Sequence, residues 1–151
     1  MPKMVDIGGK EMVRRTAVAE GELVLRKATL KAIADGAVKK GDVMAASKLA
    51  AIQAAKATSS ILPLCHQIPL TSVDVDVQVG EGSLVVRCTV TAEYRTGVEM
   101  EALVGAAAGL LNAWDMVKYL EKDSEGQYPE TSITRLRVLR KVKGGEETGR
   151  R

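Results

Sequence analysis

The sequence predicts an α+β fold of the ferredoxin-like, split βαβ kind, an antiparallel sheet with helices packed on one face. Three observations predict it. The candidate elements run strand, helix, helix, strand, strand, helix, strand. Val73 to Val79 alternates strictly, turns at Gly80-Glu81-Gly82 and returns as a second extended run, which is a hairpin pattern. Gly97 to Glu121 is the longest helix candidate and carries one broad apolar face.

Glu11 to Leu25 alternates loosely through Val18, Leu23 and Leu25 and reads as an extended strand broken near Glu20-Gly21. Lys27 to Asp35, with Ala28, Leu30, Ile33 and Ala34, reads as a short helix stopped by Gly36. Asp42 is placed as an N-cap, and a helix runs from it to about Lys56 with Val43, Ala46, Leu49, Ala50 and Gln53 as its stripe. Pro63 and Pro69 bracket a loop. The hairpin strands follow, the second over Leu84 to Tyr94. In the long helix, Leu103, Ala106, Ala107, Leu110, Leu111 and Val117 form the apolar face. A last strand holds Ile133, Leu136, Val138 and Val142 with Arg and Lys between them.

At 151 residues the chain fits one domain, 1–151, with residues 1–10 and 144–151 expected to fray because they are rich in Gly and charge. Two cysteines are too few for a disulfide framework and point to a reducing compartment, the cytoplasm. The N-terminus has no secretory h-region, and the longest nearly uncharged run, Ala102 to Trp114, is short of the about 20 residues that span a bilayer. The net charge of +3 is uneven: residues 131–151 hold seven Lys/Arg against two acids. That segment reads equally well as a solvated edge strand with a charged tail or as an anion site. Nucleic acid is a poor third choice, because three Tyr, one Trp and no Phe leave few stacking platforms.

Neither a P-loop nor a dinucleotide fingerprint is present. No C-x-x-C or H-x-x-x-H occurs, so no dedicated metal site is expected. Asp115 and Lys118 lie one helical turn apart and can meet. Such a pair is most often a surface ion pair worth a few tenths of a kcal/mol. Here it sits late in an apolar helix beside Trp114, where acid–base groups are tuned by their surroundings. Glu99 and Glu101 in the first turn complement the helix dipole. Glu101 stands fourteen residues before Asp115, close to four turns, so both project from one face about 21 Å apart. One small reacting centre cannot touch both from a single chain, so either the ligand is long or two chains pool residues. Gly105 to Gly109 suits close approach by another backbone, within the chain or from a second one. Leu64-Cys65-His66 lies in the Pro-bounded loop, where binding residues concentrate. Lys40 precedes a helix N-terminus; with Lys56, Lys118 and Lys141 it could hold phosphate, or simply be solvated.

Five segments recur in the order and spacing of one family: Lys39-Lys-Gly-Asp-Val43, Ala51 to Thr58, Ile61 to His66, Thr96 to Leu103 and Asp115-Met-Val-Lys118. From about Met4 to Gly145 the chain resembles the cyclic pyranopterin monophosphate synthases of molybdenum cofactor biosynthesis. The resemblance implies a ferredoxin-like subunit in a hexamer, a trimer of dimers with active sites at subunit interfaces. It implies conversion of (8S)-3′,8-cyclo-7,8-dihydroguanosine 5′-triphosphate to cyclic pyranopterin monophosphate and pyrophosphate. By position, Asp115 is the family's catalytic acid/base and Lys118 its lysine partner. Leu64, Cys65, His66, Met100 and Glu101 bind substrate, with Lys40, Glu99 and Lys141 as further site residues. Val117 and Val104 stand where the family commonly has Cys and Thr. The tail Lys141-Val-Lys143-Gly-Gly carries one extra residue, and Lys141 aligns better than Lys143 with the family's lysine. No cofactor is required by this chemistry; Mg²⁺ can ride on the triphosphate, without a protein site legible for it. The alternative is a non-enzymatic oligomeric ferredoxin-like module for an anionic small molecule, without nucleic acid or membrane partners.

Overall fold

The computed structural model describes residues 1–144. Its elements are β1 (Val13–Val24), α1 (Lys27–Ala34), α2 (Val43–Lys56), the single turn α3 (Thr58–Ile61), β2 (Ser72–Val79), β3 (Ser83–Tyr94), α4 (Glu99–Glu121) and β4 (Ser132–Lys143). The four strands form one antiparallel sheet in the order β2-β3-β1-β4, the split βαβ arrangement the element order predicts. Residues 1–10 contain no helix or strand. Of the C-terminal run expected to fray, Gly144 donates its N–H to the Arg14 carbonyl at 2.8 Å, and the rest lies outside the described residues. No described helix is long and apolar enough to cross a membrane.

One sheet face is closed by α2 and α4. Leu84, Val86, Cys88, Val90 and Ala92 alternate along β3 and are fully buried. They lie opposite or beside Ala17, Ala19 and Leu23 of β1, also buried. Burial of this period-two set supplies the main drive for the sheet to hold its register. On the helix side, Ala102, Ala106, Leu110, Ala113 and Val117 of α4 are buried.

β1 is not broken at Glu20-Gly21. It runs on, and its glycine answers a packing demand: a Cβ at Gly21 would meet Leu110 Cδ1 at 2.6 Å. The irregularity falls on the partner strand, where the β1–β4 register shifts between Val18 and Ala19 and between Glu20 and Glu22. Arg135, at φ 56°, lies within the second shift. These bulges turn side chains over. Val138 lies opposite Ala19 and faces the helices, whereas Val142 lies opposite Thr16 on the other face and leaves Lys141, opposite Ala17, on the helix side.

Asp42 caps α2 as expected, its Oδ1 accepting from Ala45 N–H at 3.0 Å. The stripe expected on α2 holds at Val43 and in part at Ala46, and fails at Leu49 and Gln53. Val43, Ser47, Ala51 and Ala55 are buried, while Leu49 is 68% exposed and Gln53 is exposed. Small residues face inward because α4 lies very close. A Cβ at Gly105 would be 3.1 Å from the Ala51 carbonyl oxygen and 2.7 Å from Cys88 Sγ. One at Gly109 would be 3.3 Å from the Ser47 carbonyl oxygen. The two glycines are therefore used within the chain, by α2 and β3. Leu111, placed on the apolar face of α4, is 57% exposed.

Candidate active site

Towards its C-terminal end α4 presents Asp115 to two lysines. Lys40 Nζ lies 2.9 Å from Asp115 Oδ2 and also donates to the Asp115 carbonyl at 3.3 Å. Lys118 Nζ lies 3.4 Å from Oδ1. The helix spacing brings Lys118, and the turn before α2 brings Lys40. Lys40 first, then Lys118, hold the Asp115 carboxyl below the usual carboxylate range. The cause is charge, not the apolar surroundings expected from sequence, because the group is exposed. An ionised Asp115 beside two cations can accept a proton, and the cations can neutralise a phosphate.

At the head of the same helix the setting reverses. Glu101 is 3% exposed; among the described residues its Oε1 has no hydrogen-bond partner, and its Oε2 receives the Cys65 thiol at 3.9 Å. Burial, reinforced by the Glu99 charge, pushes the Glu101 carboxyl up. The same burial and the neighbouring Glu101 raise the Cys65 thiol. Cys65 and His66 are half-buried, and Leu64 and Met100 are exposed around them. Glu101 and Asp115 thus share a nominal face but not an environment: one lies under the Leu64–His66 loop, the other in solvent.

A third group gathers between α4 and β4. Lys141 Nζ lies 3.1 Å from Glu99 Oε1, and both line a cavity of about 320 Å³ with Arg15 and Lys143. Burial alone would push Glu99 up, but its backbone N–H, Lys141 and Arg15 together hold it below the ordinary range. Lys141 and Lys143, alternatives by sequence, line the same cavity; Lys141 makes the ion pair with Glu99. Lys56 borders a separate cavity of about 370 Å³ with Ile52 and the Ile68–Val73 segment.

The candidate residues therefore form three groups: Lys40, Asp115 and Lys118; Leu64, Cys65, His66, Met100 and Glu101; Glu99 and Lys141. Asp115 and Glu101 do not meet within the chain. Sequence reasoning missed Arg15, whose alternating position in β1 gave no chemical signal. It also missed Tyr119, which becomes visible only when the turn at Lys39 docks on it.

These features define a ferredoxin-like α+β chain with lysine–carboxylate pairs at both ends of one long helix. The chain belongs to the MoaC family, whose model matches residues 4–144. It is 50% identical over 141 residues to a Pyrococcus furiosus protein named "Probable cyclic pyranopterin monophosphate synthase", covering 93% of this chain and 90% of that one. A Sulfolobus acidocaldarius protein of the same name is 51% identical over 140 residues, covering 93% and 98%. A Methanothermobacter thermautotrophicus protein, 50% identical over 141 residues and covering 93% and 89%, is named "Probable cyclic pyranopterin monophosphate synthase accessory protein".

Proposed function

We propose that this protein is a cyclic pyranopterin monophosphate synthase of molybdenum cofactor biosynthesis, acting in the cytoplasm on (8S)-3′,8-cyclo-7,8-dihydroguanosine 5′-triphosphate. Membership of the family supports the reaction, and one observation carries the site: Lys40 and Lys118 converge on Asp115. The purine-derived ring must open and reclose as a pyranopterin, which needs proton transfers at several atoms. Asp115, held ionised, takes a proton; Glu101, held up by burial, gives one. A sugar hydroxyl then bonds to the α-phosphorus as the bond to the β-phosphate oxygen breaks, and pyrophosphate leaves. The hydroxyl proton passes to a base such as Asp115. This step needs positioning and charge neutralisation, which Lys40, Lys118, Arg15 and Lys141 suit. No cofactor enters the scheme, and Mg²⁺ would arrive with the triphosphate.

In the proposed assembly, a hexamer of three dimers, Asp115 of one chain shares a pocket with Leu64–His66 or Glu101 of another. Two observations support it. Asp115 and Glu101 stand about 21 Å apart along α4 by helical rise. Leu49 of α2 and Leu111 of α4 are exposed apolar side chains that a second chain would cover.

Asp115→Asn should abolish pyrophosphate release from the cyclic triphosphate while keeping the fold and oligomer. Full activity in that variant would remove Asp115 from the chemistry. A wild-type protein that binds the triphosphate but releases no pyrophosphate would be a binding module instead. A strict monomer by light scattering would sink the shared-site geometry.

A further inference from the structure

We propose that Tyr119 is a positioning residue, its hydroxyl fastening the Lys39–Gly41 turn to α4 so that the Lys40 ammonium rests on Asp115. The proposal rests on the functional reading above and deepens it.

The turn is anchored at its flanks. Val38 is buried, Gly41 N–H donates to the Val38 carbonyl at 3.0 Å, and Asp42 caps α2. Gly41 has φ +114°, a backbone setting that suits glycine and lets the turn close before the cap. Between these anchors the side chains of Lys39 and Lys40 point outward, so neither can hold the turn by burial. The Lys39 N–H, at the second position of the turn, donates to Tyr119 Oη at 2.8 Å. The Lys39 ammonium lies 5.3 Å from the centre of the Tyr119 ring. Tyr119 is four residues after Asp115 on α4, so both side chains share a helix face. The hydroxyl therefore ties down the backbone immediately before Lys40, on the face where Lys40 must land. Lys40 returns two contacts to one residue, the Asp115 carboxylate at 2.9 Å and its carbonyl at 3.3 Å. A flexible ammonium holding both in solvent needs its own backbone fixed.

Among the described residues, the charged groups that face Asp115 are Lys40 from the turn and Lys118 from α4, with Tyr119 of α4 and Lys39 joined to each other beside them. Tyr119→Phe keeps the ring and removes only the acceptor. Lys40 then samples positions away from Asp115, and the carboxyl loses part of what holds it down. Because Asp115 works ionised, activity falls as pH drops through its pKa. Loosening Lys40 therefore moves the acid limb of the pH profile upward.

The test compares the full-length wild type, Tyr119→Phe, Lys40→Ala and the double variant. Two readouts are needed: pyrophosphate release against pH, and titration of the Asp115 side-chain carboxyl carbon by NMR. Tyr119→Phe should lower kcat/KM at neutral pH by roughly ten- to a hundredfold, the scale of a small misplacement of a catalytic group. It should raise the Asp115 titration midpoint and leave thermal stability nearly unchanged. In the Lys40→Ala background the same substitution should do nothing further. Equal effects of Tyr119→Phe with and without Lys40, or an unmoved Asp115 midpoint, would overturn the proposal. If the wild type releases no pyrophosphate, the functional reading fails, while the NMR midpoints still decide whether Tyr119 positions Lys40.

Discussion

Replacing Glu101 by Gln should make the protein relatively more stable as pH rises. The wild-type carboxyl is 3% exposed, and one of its oxygens has no partner among the described residues. Burial raises its folded pKa above the unfolded value near 4.5. Above that value the unfolded chain releases the proton first, so the native state binds more protons and stability falls with pH through the window up to the folded pKa. Gln has no proton to lose, so its stability lacks this slope. A stranded buried acceptor costs about 1–3 kcal/mol, and a charged one more. Only the excess cost of the charged form over the neutral one varies with pH, so the advantage of Glu101→Gln over wild type should grow by on the order of 1 kcal/mol between pH 4 and pH 8. On a chain of this size that is roughly 2–4 °C of Tm per kcal/mol. Urea unfolding at the two pH values, with unchanged slope m, measures it. The quantity read is the difference between the two pH values, since the amide places its own demands on the site at both. A Glu101→Gln difference from wild type that does not vary with pH would refute the reasoning. On the proposed chemistry the same variant also loses turnover, because an amide cannot supply the proton.

Glu121→Ala should be among the most destabilising substitutions in the chain. The carboxyl group is fully buried and accepts from Thr131 Oγ1 at 2.7 Å, from Arg26 N–H at 3.2 Å and from Thr29 Oγ1, joining the end of α4 to the starts of α1 and β4. Stranding three donors should cost about 3–5 kcal/mol by urea unfolding; a loss below about 1 kcal/mol would deny the clasp its role. The two cysteines should resist iodoacetamide to different degrees at pH 8. Cys88 is fully buried and pushed up to about 12, so it should react only after unfolding, while Cys65, raised more modestly, should react more slowly than a free thiol. Mass spectrometry against time separates them, and rapid labelling of Cys88 in the folded chain would contradict its placement.

Local chemistry made much of the fold legible. The strict alternation of Val73–Val79 and the Asp42 cap each mark an element to within a residue of its observed start. What could not be read were choices made by distant partners. The expected stripe on α2 shares Val43 with the observed buried set but continues through Leu49 and Gln53, whereas the buried set continues through Ser47, Ala51 and Ala55, so a large apolar residue at position 49 draws the reading to the wrong side. The smaller side wins because α4 approaches at Gly105 and Gly109, and only a neighbour known in three dimensions reveals that. The bulges of β4 likewise turn Val142 away from the face that simple alternation gives it. At the site, the Asp115–Lys118 pair follows from helical spacing, and the family pattern named Lys40. The contact joining Tyr119 to Lys39 spans 80 positions and left no periodic trace.

The close packing of α2 on α4 also bears on the site. The Lys40 turn leads directly into α2, so the separation of the two helices sets how near Lys40 comes to Asp115. Any residue larger than glycine at position 105 would push against the Ala51 carbonyl or Cys88, and α2 would carry Lys40 outward with it. At the other end, the loop after α3 lays Cys65 on Glu101, so α4 holds an exposed, charge-stabilised carboxylate at one end and a buried one at the other. These two environments favour opposite protonation states, as acid–base work on one substrate requires. Along one straight helix they cannot reach a common atom. A second chain seated across the exposed Leu49 and Leu111 could bring the buried acid of one copy to the charged pair of the other. On the proposed reading, the tight α2–α4 contact and the exposed Leu49 and Leu111 have separate parts in one arrangement: the first holds Lys40 near Asp115 within the chain, and the second offers a seat to the proposed second chain.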